Sequence, residues 1–231
     1  MTNKQNPSAW ANNAPQTFND LVFADDYTRQ DLYDYVQYPT MCGNIILEGG
    51  YGSGKSTIAS IIAKDRLGAT LSLYELNGET WADDTVSKLR GTFNLARVCD
   101  EIPVVIINEV DRLKNKQYEL REFLDGYSQE LLVIMTTNHL ANIDGSIVDR
   151  SDVFRVRGFV PDQAVGIAQP VLKRYAVTVA DSVLLQVFER NLIGDETELS
   201  LRQIGRTVDK LVLQLGKRPK PPQQKPKLTV L

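Results

Sequence analysis

Apolar residues along this chain form short runs, and segments with apolar residues three to four positions apart separate the runs. The runs predict five strands, at residues 44–48, 70–76, 103–107, 131–135 and 153–160. The segments between them predict helices at residues 27–36, just after residue 54, at 83–98 and at about 114–126. Apolar strands alternating with helices are typical of a parallel sheet covered on both faces. We therefore expect an α/β layered fold with its ligand at the carboxyl ends of the strands.

Beyond residue 160 the pattern is helical. Residues 161–175 predict a helix that Pro170 breaks or kinks, and a capping-box-like pair, Thr178 and Asp181, predicts the start of a second helix ending near Gly194. A third helix carries one apolar stripe, formed by Leu201, Ile204, Val208, Leu211 and Leu215. These segments predict a small three-helix domain.

Polar and proline-rich composition sets the expected boundaries. We predict a disordered start at residues 1–9, an α/β domain at 10–160, a helical domain at 161–215 and a basic tail at 216–231. The tail from Lys217 holds five basic residues and no acidic one, so the remaining 21 basic residues face all 29 acidic ones. Such a body excludes general nucleic-acid binding, and any DNA contact must come from a local basic strip.

Targeting and cysteine patterns indicate the compartment. The start lacks the apolar core of a signal peptide, and no apolar run approaches the length of a membrane span. Two cysteines and one histidine cannot build a zinc module or a disulfide framework. We expect a cytoplasmic protein in a reducing environment, without a membrane partner.

The most informative stretch follows the first strand. It reads Gly49, Gly50, Tyr51, Gly52, Ser53, Gly54, Lys55, Ser56 and Thr57, and it fits the phosphate-binding pattern G-x-x-x-x-G-K-[ST] between a strand and a helix. Backbone N–H groups of such a loop, together with the free N–H groups of the next helix, bind a polyphosphate. Lys55, taken here as an exposed loop lysine, would reach the β- and γ-phosphates, and the Ser56 hydroxyl would bind Mg²⁺. The sequence therefore predicts an ATP site with Mg²⁺ as cofactor.

Polar residues at the ends of later strands extend this site. Glu109 is the candidate base that polarises the attacking water, and Asn108 stands where an aspartate would bring charge near Mg²⁺. Asp111 could compensate for that missing charge. Asn138 could hold the attacking water or the γ-phosphate, and Arg150 is a candidate arginine finger.

The ordered series of motifs resembles the AAA+ ATPases, and within them the small subunits of replication clamp loaders of the replication factor C and bacteriophage type. The segment with Trp10, Pro15, Thr17, Phe18, Asp20, Leu21, Val22 and Phe23 is similar to the family's amino-terminal box, which borders the adenine. Asn108 to Leu113 looks like its Walker B segment, Asn138 matches sensor 1, and Leu201-Arg202 matches the sensor 2 arginine of the lid. The resemblance implies that residues 10–160 are the nucleotide-binding domain and that the helices at 161–215 are the lid. Residues 146–151 resemble the arginine-finger motif, with Asp149 and Ser151 as departures.

The resemblance implies partners as well as chemistry. It implies a ring-like oligomer with other clamp-loader subunits, a sliding clamp and primer–template DNA, and it admits a virus-encoded protein in a host cytoplasm. A local strip of cations is predicted to track DNA phosphates; its members are Lys88, Arg90, Arg112, Lys114 and Lys116. The family's collar-forming helical domain is not expected here.

Two other interpretations stay open. Another DNA-associated AAA+ protein, of the helicase-loader or branch-migration type, would share the same motifs. A binding-only subunit, in which Asn108 leaves ATP bound without hydrolysis, would share the fold but show no turnover.

Overall fold

A computed structural model describes residues 8–67, 73–98, 102–127 and 129–216. The described elements of the first part are α1 (Asp26–Gln37), β1 (Gly43–Glu48), α2 (Lys55–Leu67), β2 (Leu73–Asn77), α3 (Thr85–Val98), β3 (Val104–Asn108), α4 (Gln117–Tyr127), β4 (Leu132–Thr137), α5 (Gly145–Val148) and β5 (Asp152–Arg155). The second part holds α6 (Pro161–Arg174), α7 (Asp181–Arg190) and α8 (Leu201–Leu215).

The five strands form one parallel sheet in the order β2-β3-β4-β1-β5. Because side chains alternate along a strand, each central strand supplies apolar residues to both faces. In β1, Ile45 and Leu47 pack beside α1 and α2, whereas Ile46 packs with residues of α3 and α4 on the opposite face. The predicted α/β sheet flanked by helices is confirmed.

A third apolar cluster lies in the helices that follow the sheet. It joins α6, α7 and α8 through fully buried residues such as Leu172, Phe188 and Ile204. Phe159 and Leu199 form an isolated antiparallel bridge that ties the end of the sheet region to the start of α8. Within the described ranges, every helix is too short or too polar to span a lipid bilayer.

Several predicted boundaries are wrong. The fifth strand ends at Arg155 instead of residue 160, because the chain turns away after Val156 and Phe159 pairs with Leu199. α4 begins at Gln117, three residues later than predicted, because Lys114 has a positive φ and a non-helical backbone (φ 48°, ψ −115°) that no α-helix accommodates.

The helical part also departs from expectation at two points. Pro170 lies inside α6, so the predicted break is wrong, while the alternative of a kink stays a prediction. The buried face of this helix contacts both α7 and α8. α7 begins after Ala180 with no side-chain cap, so the predicted capping role of Thr178 is wrong.

Residues 1–7, 70–72 and the basic tail from 217 lie outside the described residues. Ser8 donates a hydrogen bond to Asp209 of α8 at 2.6 Å.

Candidate functional site

A cavity of about 1270 Å³ lies between the amino-terminal segment, the glycine loop, α6 and α8. Most of the predicted ATP-binding residues line it, namely Val22, Phe23, Tyr51, Gly52, Gly54, Lys55, Ser56, Thr57, Asn138 and Arg202. The candidate base Glu109 lines it as well. Four other predicted site residues lie close by but do not line the cavity; three are in the glycine loop and one ends β3, namely Gly49, Gly50, Ser53 and Asn108. The cavity adjoins the carboxyl ends of β1, β3 and β4, as the strand order of a parallel sheet predicts.

The glycine loop has the backbone that anion binding requires. Gly52 (φ 76°) and Gly54 (φ 100°) adopt left-handed conformations that other residues rarely take. Gly49 packs so closely that an added Cβ would lie 2.3 Å from the carbonyl oxygen of Val156. α2 begins at Lys55, so its free N–H groups face the loop.

Lys55 lies folded back into this loop. Its Nζ donates to the carbonyl oxygens of Gly49 and Gly50, both at 2.8 Å, and to Asn138 Oδ1 at 2.9 Å. The residue is 8% exposed, so the expectation of an exposed lysine is wrong. Burial lowers the pKa of the Lys55 ammonium, and the carboxylate of Asp111 acts in the opposite direction.

Asn108, at the end of β3, links the loop helix to the edge strand β2. Its Oδ1 accepts from Ser56 Oγ at 2.8 Å and from Thr136 Oγ1 at 3.1 Å. Its Nδ2 donates to Glu75 Oε1 at 2.8 Å. Sequence reasoning missed Glu75, because its place beside Asn108 depends on the pairing of β2 with β3.

Glu109 and Asp111 each have a partner. Glu109 adopts a left-handed backbone (φ 55°, ψ 48°), and its Oε2 lies 3.0 Å from Arg112 Nε. Asp111 accepts from Thr137 Oγ1 at 2.9 Å. Asp111 is thus directed at β4, whereas Ser56 is bound by Asn108.

The start of α8 packs against the glycine loop. The N–H of Arg202 donates to the carbonyl oxygen of Gly52 at 3.3 Å, and a capping box of Ser200 and Gln203 begins the helix. Arg206, one turn later, also lines the cavity. Trp10, which the sequence placed in the segment similar to the amino-terminal box, also lines the cavity. Sequence reasoning missed one further lining residue, Arg174, because only the docking of α6 brings it here.

Arg150 lies away from this cavity. Its backbone carbonyl accepts from Asn44 Nδ2 at 3.0 Å, which places it near the amino-terminal end of β1. Its guanidinium pairs with Asp125 and donates to the carbonyl oxygen of Ser146 at 2.7 Å. The structure therefore does not bring Arg150 to the glycine loop of its own chain.

The predicted basic strip lies on α3 and on the segment before α4, and acidic residues pair with much of it. Lys88 pairs with Asp84 at 2.7 Å. Arg112 pairs with Glu79 as well as with Glu109, and Lys116 pairs with Asp83. Arg90 and Lys114 are exposed. DNA phosphates would have to compete with these carboxylates for three of the five cations.

This architecture defines a P-loop nucleotide-binding protein: a parallel sheet, a glycine loop at a helix start and a helical group over the loop. Residues 45–159 match the family described as "ATPase family associated with various cellular activities (AAA)". The match covers just under half of the chain, so this part of the chain is similar to an AAA ATPase domain, and domains of this family are in general nucleotide hydrolases of the ATPase type.

Two curated relatives show the range of similar proteins. The mitochondrial Lon protease homolog of Ostreococcus lucimarinus is 28% identical over 83% of this chain and 25% of its own length. Replication factor C small subunit 1 of Pyrobaculum aerophilum is 23% identical over 86% of this chain and 61% of its own length. The chain thus spans a quarter and about three fifths of these two relatives.

A solved structure is similar to the whole fold. Domain III of the Thermotoga maritima replication initiation protein DnaA has a TM-score of 0.64 and 18% identity. The match covers 90% of this chain and 89% of that one. It supports an AAA+ fold that includes the helices after the sheet.

Proposed function

We propose that this chain is an ATP-binding and ATP-hydrolysing AAA+ subunit of a sliding-clamp loader in DNA replication. The hydrogen bonds of the Lys55 ammonium are the observation that carries the nucleotide-binding part of the proposal. Its ammonium joins Gly49 and Gly50 to Asn138, so one cation lies between the phosphate loop and the end of β4. A bound phosphate would displace the loop carbonyl oxygens from the Lys55 ammonium, because charged phosphate oxygens bind an ammonium more strongly than neutral carbonyl oxygens do.

The residues present also fit Mg²⁺. Ser56 Oγ donates its proton to Asn108 Oδ1 and keeps its lone pairs for a cation, and hydroxyl and phosphate oxygens are ligands that Mg²⁺ accepts. When bound, the ion would neutralise charge that develops on the phosphates. Ser56 would hold it, and Asn108 would orient Ser56.

The remaining side chains have separate roles in this proposal. Glu109 takes a proton from the attacking water, after its carboxylate leaves Arg112. Asn138 positions the water or the γ-phosphate. Arg202 contacts the phosphates from the lid, since its backbone already bonds Gly52. Val22 and Phe23 border the base.

The similarity to replication factor C supports the clamp-loader part, because it extends over 86% of the chain. In this proposal residues 10–160 bind nucleotide, residues 161–215 act as the lid, and the tail at 216–231 binds partners. The partners are a sliding clamp, primer–template DNA and further loader subunits in a ring. The proposed location is the cytoplasm, and a virus-encoded protein in the cytoplasm of its host is compatible with this role. Lys88, Arg90, Arg112, Lys114 and Lys116 contact the DNA phosphates.

One observation favours a second candidate, an ATP-binding subunit without turnover. Glu109 is paired with Arg112, and the neutral Asn108 stands at the site of a metal-directed carboxylate. A helicase-loader role is the third candidate, and the fold shared with DnaA domain III is compatible with it.

The test uses the wild-type chain and two variants, Lys55→Ala and Glu109→Gln. ATP turnover is measured alone, with primer–template DNA and sliding clamp, and with replicative helicase. We expect DNA and clamp together to stimulate wild type, and Glu109→Gln to bind ATP, hydrolyse it slowly and retain the clamp. Lys55→Ala should neither bind ATP nor retain the clamp. Stimulation by helicase alone would favour the helicase-loader role, and ATP binding without turnover under every condition would favour the binding-only subunit.

A further inference from the structure

The side-chain amide of Asn108 has one orientation in this network. A carboxylate accepts hydrogen bonds and cannot donate them, so the group facing Glu75 Oε1 must be the amide nitrogen. The amide oxygen then faces Ser56 and Thr136, whose hydroxyl groups can donate. Without Glu75 these two hydroxyls could meet either end of the amide, because a hydroxyl both donates and accepts.

Sheet register explains why Glu75 can reach Asn108. Asn77 of β2 lies opposite Asn108 of β3, and Glu75 lies opposite Ile106. Residues two positions apart share a face of the sheet, so Glu75 and Asn108 project to the same side as Ile106. Ile106 packs in the cluster with α2, and Ser56 lies in the first turn of α2. The acid, the amide and the hydroxyl therefore meet on one face.

We propose that Glu75 is a positioning residue for the metal-binding hydroxyl, and that Glu75 and Asn108 together replace the single aspartate expected at position 108. Glu75 holds the Asn108 oxygen toward Ser56 and, through a charge-assisted hydrogen bond, makes that oxygen a stronger acceptor. Negative charge is thereby supplied from the neighbouring strand. This inference rests on the proposed ATP and Mg²⁺ site, because Ser56 matters only if it binds the ion.

The pairing predicts that the two positions are coupled. In Asn108→Asp the new carboxylate faces the carboxylate of Glu75, and neither can donate a hydrogen bond. In Glu75→Gln the charge is lost, and the new amide can pair with either end of Asn108. In the double variant the amide and the carboxylate have exchanged places, so the hydrogen bond forms again and the charge lies at position 108.

Two measurements test the coupling on the full chain. The first is thermal unfolding without nucleotide or Mg²⁺ for wild type, both single variants and the double variant. The second is the affinity for ATP with and without Mg²⁺, whose ratio reports how strongly the ion contributes to binding. Glu189→Gln, which removes an exposed acid on α7, is the control for a general change of charge.

We expect Asn108→Asp to lower the melting temperature when Glu75 is present and to lower it much less, or not at all, when it is combined with Glu75→Gln. We expect Glu75→Gln to reduce the effect of Mg²⁺ on ATP affinity by roughly three- to tenfold, as for contacting polar pairs. The ATP affinity without Mg²⁺ should stay unchanged, the double variant should recover the Mg²⁺ effect, and Glu189→Gln should behave as wild type.

Additive melting shifts, or an unchanged Mg²⁺ effect in Glu75→Gln, would overturn the role of Glu75 while leaving the ATP site intact. If wild type bound ATP no better than Lys55→Ala, the proposed function itself would fail, and the positioning role would fail with it.

Discussion

The sharpest prediction concerns Arg150, which we expect to act on the ATP of a neighbouring chain. Its carbonyl is bonded to Asn44, whereas the glycine loop begins at Gly49. Five residues of strand at about 3.3 Å each separate these ends by roughly 16 Å. Arg150 therefore lies at the opposite end of the strands from its own phosphate loop, and in this prediction it enters the site of a stacked neighbour.

The ion pair between Arg150 and Asp125 is too weak to prevent this role. Arg150 and Asp125 are 38% and 50% exposed, and exposed pairs contribute about 0.2–1 kcal/mol. An arginine finger contributes roughly 10³–10⁵ in rate where it has been measured in GTPases. At about 1.36 kcal/mol for each factor of ten, that is about 4–7 kcal/mol. The gain exceeds the cost of leaving Asp125 several-fold.

The assay measures ATP turnover per chain against protein concentration. Wild type should become steeply more active as chains assemble, and Arg150→Ala should bind ATP normally but lose most of that activity. The exposed Arg157 provides a matched control, because Arg157→Ala should keep full activity. Mixing Arg150→Ala with Lys55→Ala should restore some turnover, since each supplies what the other lacks. A mixture that stays inactive, although wild type assembles with itself and hydrolyses ATP, would refute the role in trans.

Two further predictions concern contacts around the cavity. Arg112→Gln should raise ATP turnover without DNA, because it releases the carboxylate of Glu109. The same variant should weaken DNA binding at low salt, because it removes a cation. Unchanged turnover without DNA would show that the ion pair does not restrain Glu109. Gly205→Ala should destabilise the fold by about 1–3 kcal/mol and change Trp10 fluorescence, because its Cβ would lie 2.6 Å from that ring. Gly166→Ala, a helical position with open space, is the control and should be neutral or stabilising in chemical denaturation.

The amino-acid pattern alone predicted the layered α/β fold and the phosphate loop, because both depend on local physics. Buried strands need apolar residues on both faces, as in β3 and β4, and the loop needs glycine where φ is positive, as at Gly52 and Gly54. The carboxyl ends of parallel strands meet at one edge of a sheet. Asn108 and Asn138 could therefore be assigned to one site before any coordinates were known.

Tertiary structure decided which side chains meet at that site. Glu75 reaches Asn108 across 33 positions of sequence through the register of β2 with β3, and Arg202 reaches Gly52 because α8 docks on the loop. Neither contact has a local signal, since register and docking depend on the packing of whole elements. The same holds for the burial of Lys55, since its partner Asn138 follows a different strand. Residue types along the chain determined what chemistry is available, and the packing of strands and helices determined which groups act together.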